Sequence, residues 1–167
     1  MGKTEENLST AFAGESQANR KYLAFAKQAE KDGHKQIAKL FRAAAAAETV
    51  HAHAHLAVIG GVKSTDENLK AAIEGEGFEF EKMYPEFLEQ ATTEDRTTAS
   101  VSFERALKVE KIHHNLYSQA LQELESRKPT EVKACYVCQV CGNTVENEAP
   151  ETCPICGAPK QSFMKID

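Results

Sequence analysis

The chain has 167 residues, of which 41% are hydrophobic and 27% are charged, and its formal net charge is −5. This acidic balance excludes a broadly basic surface and argues against nucleic acid as the main partner. No apolar run reaches the roughly 18–20 residues of a membrane-spanning helix, and the first residues, MGKTEENLST, lack the apolar core of a secretory signal. We therefore expect a cytosolic protein without a membrane partner.

Residues 1–128 are predicted to be helical, because they are rich in the good helix formers Ala, Leu, Glu, Lys and Gln. Turn and capping residues divide this region into four long helices. The residues that mark the helix ends are Asp32-Gly33, Gly60-Gly61, Ser64-Thr65-Asp66-Glu67 (a capping-box pattern), Thr92-Thr93-Glu94-Asp95 and Lys128-Pro129. Pro85 lies inside the third helix and predicts a kink or irregular winding there. Four long helices with short links indicate a helical bundle.

The four predicted helices carry a repeated pattern centred on one Glu each. In the second and fourth helices, Phe, Ala, Glu and His stand at relative positions −7, −4, 0 and +3: Phe41, Ala44, Glu48, His51 and Phe103, Ala106, Glu110, His113. The first and third helices have Leu, Ala, Gly and Glu at −7, −4, −1 and 0: Leu8, Ala11, Gly14, Glu15 and Leu69, Ala72, Gly75, Glu76. Positions −7, −4, 0 and +3 share one helix face. The pattern therefore indicates a duplicated helical hairpin with carboxylates on its interior face.

Carboxylates on an apolar face predict a bound metal. A single Glu usually lies on a solvated face, but a set facing the interior must be neutralised, and cations do this well. Residues three apart on a helix can reach one centre, so each Glu-x-x-His motif is a candidate ligand pair. Two such motifs and two further Glu form the ligand set of carboxylate-bridged di-iron or di-manganese bundles: Glu15, Glu48, His51, Glu76, Glu110 and His113.

Two further residues near these ligands have open roles. Glu79 lies three residues after Glu76, where the second and fourth helices have His. Its position alone is compatible with a seventh ligand, with an alternative ligand that trades with a His, or with an outer carboxylate. Tyr22, two turns past Glu15, is a candidate to hydrogen-bond a ligating carboxylate, and simple packing is an equal alternative.

All five cysteines lie between Cys135 and Cys156. We expect a small metal-stapled domain over 135–167, joined to the helical domain 1–128 by a linker over 129–134. Its two matching knuckles, Cys138-Gln-Val-Cys141-Gly and Cys153-Pro-Ile-Cys156-Gly, each offer two thiolates to one tetrahedral metal. Cys135 also forms a Cys-x-x-Cys pattern with Cys138, but no Gly follows Cys138. Cys135 is therefore predicted to be a spare thiol that does not bind the metal.

The metal of the four-cysteine site is open on spacing alone. Zinc ribbons share this spacing and favour structural zinc. A single redox iron uses the same thiolates. A one-electron iron next to a two-electron di-iron site makes functional sense, and this favours iron.

Several motifs together resemble the rubrerythrin family, in order and over essentially the whole chain: Ala11-Phe12-Ala13-Gly14-Glu15-Ser16, the two Glu-x-x-His motifs, Met83-Tyr84-Pro85-Glu86-Phe87 and the terminal Cys-x-x-Cys-Gly and Cys-Pro-x-Cys-Gly-Ala-Pro-Lys. The resemblance implies an all-α, ferritin-like four-helix bundle followed by a small rubredoxin-like domain of short β-strands and knuckle turns. It implies a non-haem di-iron centre with the ligands Glu15, Glu48, His51, Glu76, Glu79, Glu110 and His113, with Tyr22 and Tyr84 nearby. It also implies a mononuclear iron, replaceable by zinc, held by Cys138, Cys141, Cys153 and Cys156.

The activity that the resemblance implies is reduction of hydrogen peroxide to water. Electrons would come from an external donor, a rubredoxin or a flavin reductase, and pass through the four-cysteine iron. Glu79 would exchange with His51 at one iron. A head-to-tail homodimer is implied, with the tail of one chain near the bundle of the other, and helix exchange between subunits is the alternative because Gly60 and Glu76 are only sixteen residues apart. A ferroxidase or iron-handling protein is the alternative function, and a metal-stapled scaffold is a third.

Overall fold

The computed structural model describes residues 2–126 and 132–167. The end of the predicted helical domain at residue 128 and residues 129–131 of the predicted linker lie outside this part, so these boundaries stay predictions. The chain divides into two compact units, Met1–Lys63 and Ser64–Asp167. Among the described residues, none of the helices has the combined length and apolar character needed to cross a bilayer.

The first unit is a hairpin of two long helices, α1 (Lys3–Lys31) and α2 (Lys35–Val58). Gly33 has a φ of 83°, which forms the tight turn between them. Small side chains form the buried contact and let the two helices lie close together: Ala26, Ala29, Ala38, Ala45 and Ala52. The side-chain amide of Asn19 donates to the Ala45 carbonyl over 2.7 Å and so fixes the register of the hairpin.

The second unit begins with three more helical segments, α3 (Thr65–Phe78), α4 (Tyr84–Thr93) and α5 (Thr97–Glu125). The predicted capping box is confirmed, with Ser64 and Glu67 bonded reciprocally at the start of α3. Both α3 and α4 pack against α5. This arrangement places the predicted ligands of the third and fourth helices on facing surfaces within one unit.

The irregular winding predicted near Pro85 is a π-helical segment, Glu79–Met83, between α3 and α4. The amide of Tyr84 donates to the Glu79 carbonyl, five residues back. Proline has no N–H and its ring clashes with the carbonyl four residues earlier, so ordinary α-helical bonding fails at Pro85. The wider π turn absorbs one extra residue, and the chain continues as α4.

The end of the second unit is a small antiparallel sheet of β1 (Cys135–Cys138), β2 (Thr144–Glu146) and β3 (Phe163–Ile166), in the order β2-β1-β3. A short 3₁₀ turn, Lys160–Ser162, precedes β3. The buried core of this domain includes Cys138, Cys153 and Asn143. Strand β2 contacts α5 of the same chain, so the four-cysteine domain lies against the helix that carries the second Glu-x-x-His motif.

Candidate metal centres

The first unit brings together Glu15 from α1 and the Glu48–His51 pair from α2. One donor atom from each of these three side chains lies within 4.8 Å of the others. Nδ1 of His51 is 3.0 Å from Oε2 of Glu48. Hydrogen bonds from His51 and from Glu15 lower the pKa of Glu48, so its carboxyl is held ionised. Glu48 is half-buried, whereas the side chain of His51 is 56% exposed.

The second unit brings together Glu76 from α3 and the Glu110–His113 pair from α5, again with donor atoms within 4.8 Å of one another. Nδ1 of His113 lies 2.8 Å from Oε2 of Glu110 and 3.7 Å from Oε1 of Glu76. All three side chains are half-buried. The two units thus each carry a Glu, Glu, His cluster built from equivalent positions of the sequence repeat.

Crowding of carboxyl groups marks the second cluster. Burial first, and then the charge of Glu110, raises the pKa of Glu76. Burial and the charge of Glu76 likewise raise the pKa of Glu79. Glu79 is thus close to the cluster, although its carboxylate is not among the three grouped donor atoms. Burial and the charges of Glu110, Glu79 and Glu76 also raise the pKa of Tyr84, whose phenol therefore lies beside the cluster. A cation at this place would relieve the repulsion.

The donor atoms of each cluster lie close enough together for one metal ion to bind them. Two ligands at about 2.1 Å from an ion are about 3.0 Å apart when they subtend a right angle. Within each Glu-x-x-His pair the Glu–His separation is close to this value, at 3.0 Å in the first cluster and 2.8 Å in the second, whereas Glu76 and His113 are 3.7 Å apart. Carboxylate and imidazole donors without thiolate suit iron or manganese. Each cluster on its own offers three ligands, which is half of the set described for a two-metal bundle site.

Each unit carries an aromatic trio, of which the Glu-centred repeat reveals only one member, the Phe at position −7. Tyr22 packs with Phe25 and Phe41, with ring centroids 6.3 and 6.1 Å from that of Tyr22. Tyr84 packs in the same way with Phe87 and Phe103, at 6.3 Å from each. The available signal is the Tyr-x-x-Phe spacing, which occurs in both halves.

The π segment explains why the two tyrosines are equivalent. Tyr22 follows Glu15 by seven residues, whereas Tyr84 follows Glu76 by eight. Seven residues of α-helix rotate by about 700°, close to two full turns, and an eighth would rotate the side chain about 100° further. The π segment absorbs that extra residue. It therefore returns Tyr84 to the face of Glu76.

The four-cysteine site is compact. The Sγ atoms of Cys138 and Cys156 are 3.7 Å apart, and those of Cys141 and Cys153 are 3.6 Å apart. A tetrahedral metal with metal–sulfur bonds of about 2.3 Å has sulfur–sulfur edges of about 3.8 Å, so the four thiols fit one ion. Cys135 is outside this group, and its Sγ lies 4.0 Å from the Lys133 carbonyl.

Both knuckles owe their shape to the glycine that follows the second cysteine. Gly142 has a φ of 84° and Gly157 a φ of 76°, in the left-handed region that favours glycine. Their amides donate to the carbonyls of Cys138 and Cys153, over 2.8 and 2.9 Å. The side-chain amide of Asn143, which is 1% exposed, also lies 3.7 Å from Sγ of Cys153. A hydrogen bond from the Asn143 side chain stabilises negative charge on the Cys153 sulfur.

The thiols of this site differ in pKa, and metal binding is therefore expected to depend on pH. Burial raises the pKa of Cys141 to about 12. Burial acts in the same sense on Cys153, but the backbone amides of Cys156 and Ile155 outweigh it and lower the pKa of Cys153 to about 7. Metal binds thiolates, so uptake displaces the Cys141 proton at every pH below about 12, and below about 7 it displaces that of Cys153 as well.

We therefore expect the apparent zinc affinity of this site to rise with pH, by about tenfold per pH unit for each proton displaced. The dependence should be steeper below about pH 7 than above it. Competition titration of the metal-free protein against a chromophoric chelator, between about pH 6 and about pH 8, measures this slope. Cys135→Ser should give the same slope, and an affinity that does not change with pH would contradict the prediction.

Comparisons with known proteins match both parts of the chain. The rubrerythrin family matches residues 6–121, and the rubrerythrin, rubredoxin-like domain family matches residues 136–164. Rubrerythrin-2 of Clostridium acetobutylicum is 36% identical over 96% of this chain and 95% of its own length. Nigerythrin of Nitratidesulfovibrio vulgaris is 37% identical over 98% of this chain and 86% of its own length.

A solved structure of nigerythrin in its fully reduced, all-ferrous state matches with a TM-score of 0.59, at 35% identity over 99% of this chain and 88% of that chain. The prediction of a ferritin-like helical domain followed by a rubredoxin-like domain is confirmed. The chain therefore belongs to the rubrerythrin family, an oxidoreductase family whose cofactors are a non-haem di-iron centre and a mononuclear iron held by four cysteines.

Proposed function

We propose that this protein is a peroxidase that reduces hydrogen peroxide to water, with electrons relayed through the four-cysteine iron. One observation carries the proposal. Within the unit Ser64–Asp167, the Glu76, Glu110, His113 cluster and the four-cysteine domain are joined by a 2.9 Å hydrogen bond between His113 and Thr144. A one-electron iron site beside a carboxylate-rich metal site is suited to pass electrons to it. Iron storage does not need a one-electron site next to the carboxylates.

The chain's own residues would hold the metals and handle protons. The di-iron ligands would be Glu15, Glu48, His51, Glu76, Glu79, Glu110 and His113, and Cys138, Cys141, Cys153 and Cys156 would hold the single iron. When bound, the di-iron centre supplies two electrons and a polarising contact for peroxide. Conversion of one peroxide to two waters also consumes two protons. Burial raises the pKa of Glu79 in the metal-free protein, so this carboxyl would hold and pass a proton only while it is not bound to iron.

The ligand set is divided between two units, and the length of chain between them bears on how it would be assembled. A ferritin-like bundle joins its two hairpins by one long crossover. Between Val58 and Thr65 the chain has six residues, which span at most about 25 Å when fully extended. Glu48 precedes the end of α2 by ten residues, and Glu76 follows the start of α3 by eleven. If Glu48 and Glu76 lay side by side at the same height along parallel helices, the end of α2 and the start of α3 would be about 31 Å apart along the bundle axis.

The link is too short for that crossover. We propose a homodimer in which α1 and α2 of one copy complete the ligand set of α3 to α5 in the other copy. Exchange of an identical element between protomers supplies the missing half without a longer link. The resemblance to the family implies that the four-cysteine domain of one chain lies near the helical bundle of the partner chain. Since β2 contacts α5 of its own chain, the relay to His113 would instead run within one chain. The external donor would be a rubredoxin or a flavin reductase.

Loss of one cysteine ligand tests the relay. Cys141→Ser should abolish peroxide reduction driven by an external one-electron donor, because the four-thiolate iron is lost. Oxidation of added ferrous iron by peroxide at the carboxylate site should persist. The measurements are donor-driven turnover, ferrous oxidation and the visible colour of the thiolate-bound ferric iron.

Cys135→Ser is the matched control, since this thiol lies outside the four-sulfur group. It should keep colour and turnover near the starting values. Donor-driven peroxidase activity that survives Cys141→Ser would overturn the relay and favour the ferroxidase alternative.

A further inference from the structure

Thr144 connects the four-cysteine domain to the second Glu-x-x-His motif. It is the first residue of β2 and follows Gly142 and Asn143 of the first knuckle. Its hydroxyl oxygen lies 2.9 Å from Nε2 of His113. The other ring nitrogen, Nδ1, faces Glu110 at 2.8 Å. The imidazole is therefore held between a hydroxyl on one side and carboxylates on the other.

The hydrogen bond to Thr144 is compatible with the tautomer that a metal ligand needs. Nδ1 of His113 faces Glu110 and Glu76, so it is the nitrogen that would bind a metal held by those carboxylates. A neutral imidazole that ligates through Nδ1 carries its hydrogen on Nε2. The Thr144 hydroxyl can accept that hydrogen while it donates its own to the Gly142 carbonyl over 3.1 Å, and it thereby supports the ligating tautomer.

The other Glu-x-x-His motif has no equivalent support in its own unit. Among the described residues of Met1–Lys63, the ring of His51 is hydrogen-bonded only to Glu48. Its side chain is 56% exposed, against 26% for His113. Two motifs with identical spacing thus differ in how firmly their imidazoles are held. The difference arises from Thr144, which lies outside the sequence repeat.

We propose that Thr144 is the positioning residue of His113. Its hydroxyl fixes the ring with Nδ1 towards the carboxylates, and it couples His113 to the four-cysteine site of the same chain. The coupling runs from Cys141 through the adjoining Gly142 carbonyl to the Thr144 hydroxyl and on to Nε2. A ferrous iron held by the four cysteines would become ferric by giving one electron along this route to the di-iron centre, once peroxide has oxidised that centre. The positioning role stands by itself, whereas the coupling rests on the proposed function.

Two variants of the full chain separate the hydroxyl from the shape of the side chain. Thr144→Val keeps the shape and removes the hydroxyl, and Thr144→Ser keeps the hydroxyl. The first readout needs no activity. In zinc-loaded protein with ¹⁵N-labelled histidine, the Nε2 hydrogen of His113 should exchange with water at least about tenfold faster in the Val variant than in the unsubstituted and Ser proteins. Unchanged exchange of the Nε2 hydrogen in the Val variant would overturn the positioning role.

The second readout is the rate at which peroxide reoxidises the pre-reduced four-cysteine iron, followed by its visible absorption. The Val variant should be about tenfold slower, with the Ser variant near the unsubstituted rate and with equal iron content in all three. An unchanged rate in the Val variant overturns the coupling. If the unsubstituted protein itself is not reoxidised by peroxide, the proposed function and the coupling both fail. The histidine spectra then still decide the positioning role.

Discussion

Glu110→Ala is expected to lower peroxidase turnover by roughly 100-fold or more, because it removes a carboxylate from the metal-binding cluster. Loss of an outer partner of a metal ligand already costs about 10–100-fold in affinity or activity, and loss of the ligand itself should cost at least as much. The variant should bind less iron per chain while keeping the colour of the four-cysteine site. Iron content, visible absorption and donor-driven peroxide reduction measure the three effects.

Glu104→Ala is the matched control for this substitution. Glu104 lies six residues earlier on α5, is exposed and pairs with Lys108 over 2.8 Å. Exposed pairs of this kind contribute about 0.3–0.5 kcal/mol to stability, so this variant should keep its iron and its turnover. A Glu110→Ala protein that retains full iron content and turnover would remove Glu110 from the ligand set.

Unfolding of the Glu110 variant is a poor explanation for its expected loss of activity. The charge of Glu110, after burial, is a cause of the raised pKa of Glu76 in the metal-free protein. Removing one of two like charges relieves that repulsion, and it also removes the 2.8 Å contact between Glu110 and Nδ1 of His113, so the two effects oppose each other. The metal-free Glu110→Ala protein should therefore melt close to the metal-free parent, which circular dichroism can check.

Local patterns were sufficient to predict most of the elements. The helices follow from residue composition and from breakers such as Gly33, and the capping box at Ser64 needs only residues three apart. The knuckles are equally local, since each Cys-x-x-Cys-Gly turn is formed within five residues. These predictions depend on interactions within one or two turns of chain, which sequence periodicity records directly.

The contacts that organise the sites were not predictable in the same way. The π segment can be inferred from the spacings of Tyr22 and Tyr84 only after the two halves are aligned on Glu15 and Glu76. The bond between His113 and Thr144 joins residues 31 apart, and nothing in the spacing marks Thr144 as special. Its role depends on where β2 lies against α5. That placement is set by packing rather than by local pattern.

Mixing two inactive chains tests the exchanged dimer, and the expected recovery is large. Neither Glu48→Ala nor Glu110→Ala alone should have appreciable peroxidase activity. In an exchanged dimer of the two, the intact α1 and α2 of the Glu110 variant meet the intact α3 to α5 of the Glu48 variant. One complete ligand set is thereby rebuilt. Random pairing makes half of the dimers mixed, and each has one complete site of two, so about a quarter of the parental activity should return.

A converse mixture sharpens the result. A Glu48→Ala/Glu110→Ala double variant, refolded with an equal amount of the parent chain, would place a defect in both sites of every mixed dimer. Activity should then fall to about a quarter of that of an all-parent sample, below the half that independent chains would keep. If instead half remains, and the two single variants restore nothing on mixing, each chain completes its own ligand set. The six-residue link would then have to connect helices that run antiparallel, a topology without the long crossover of a ferritin-like bundle.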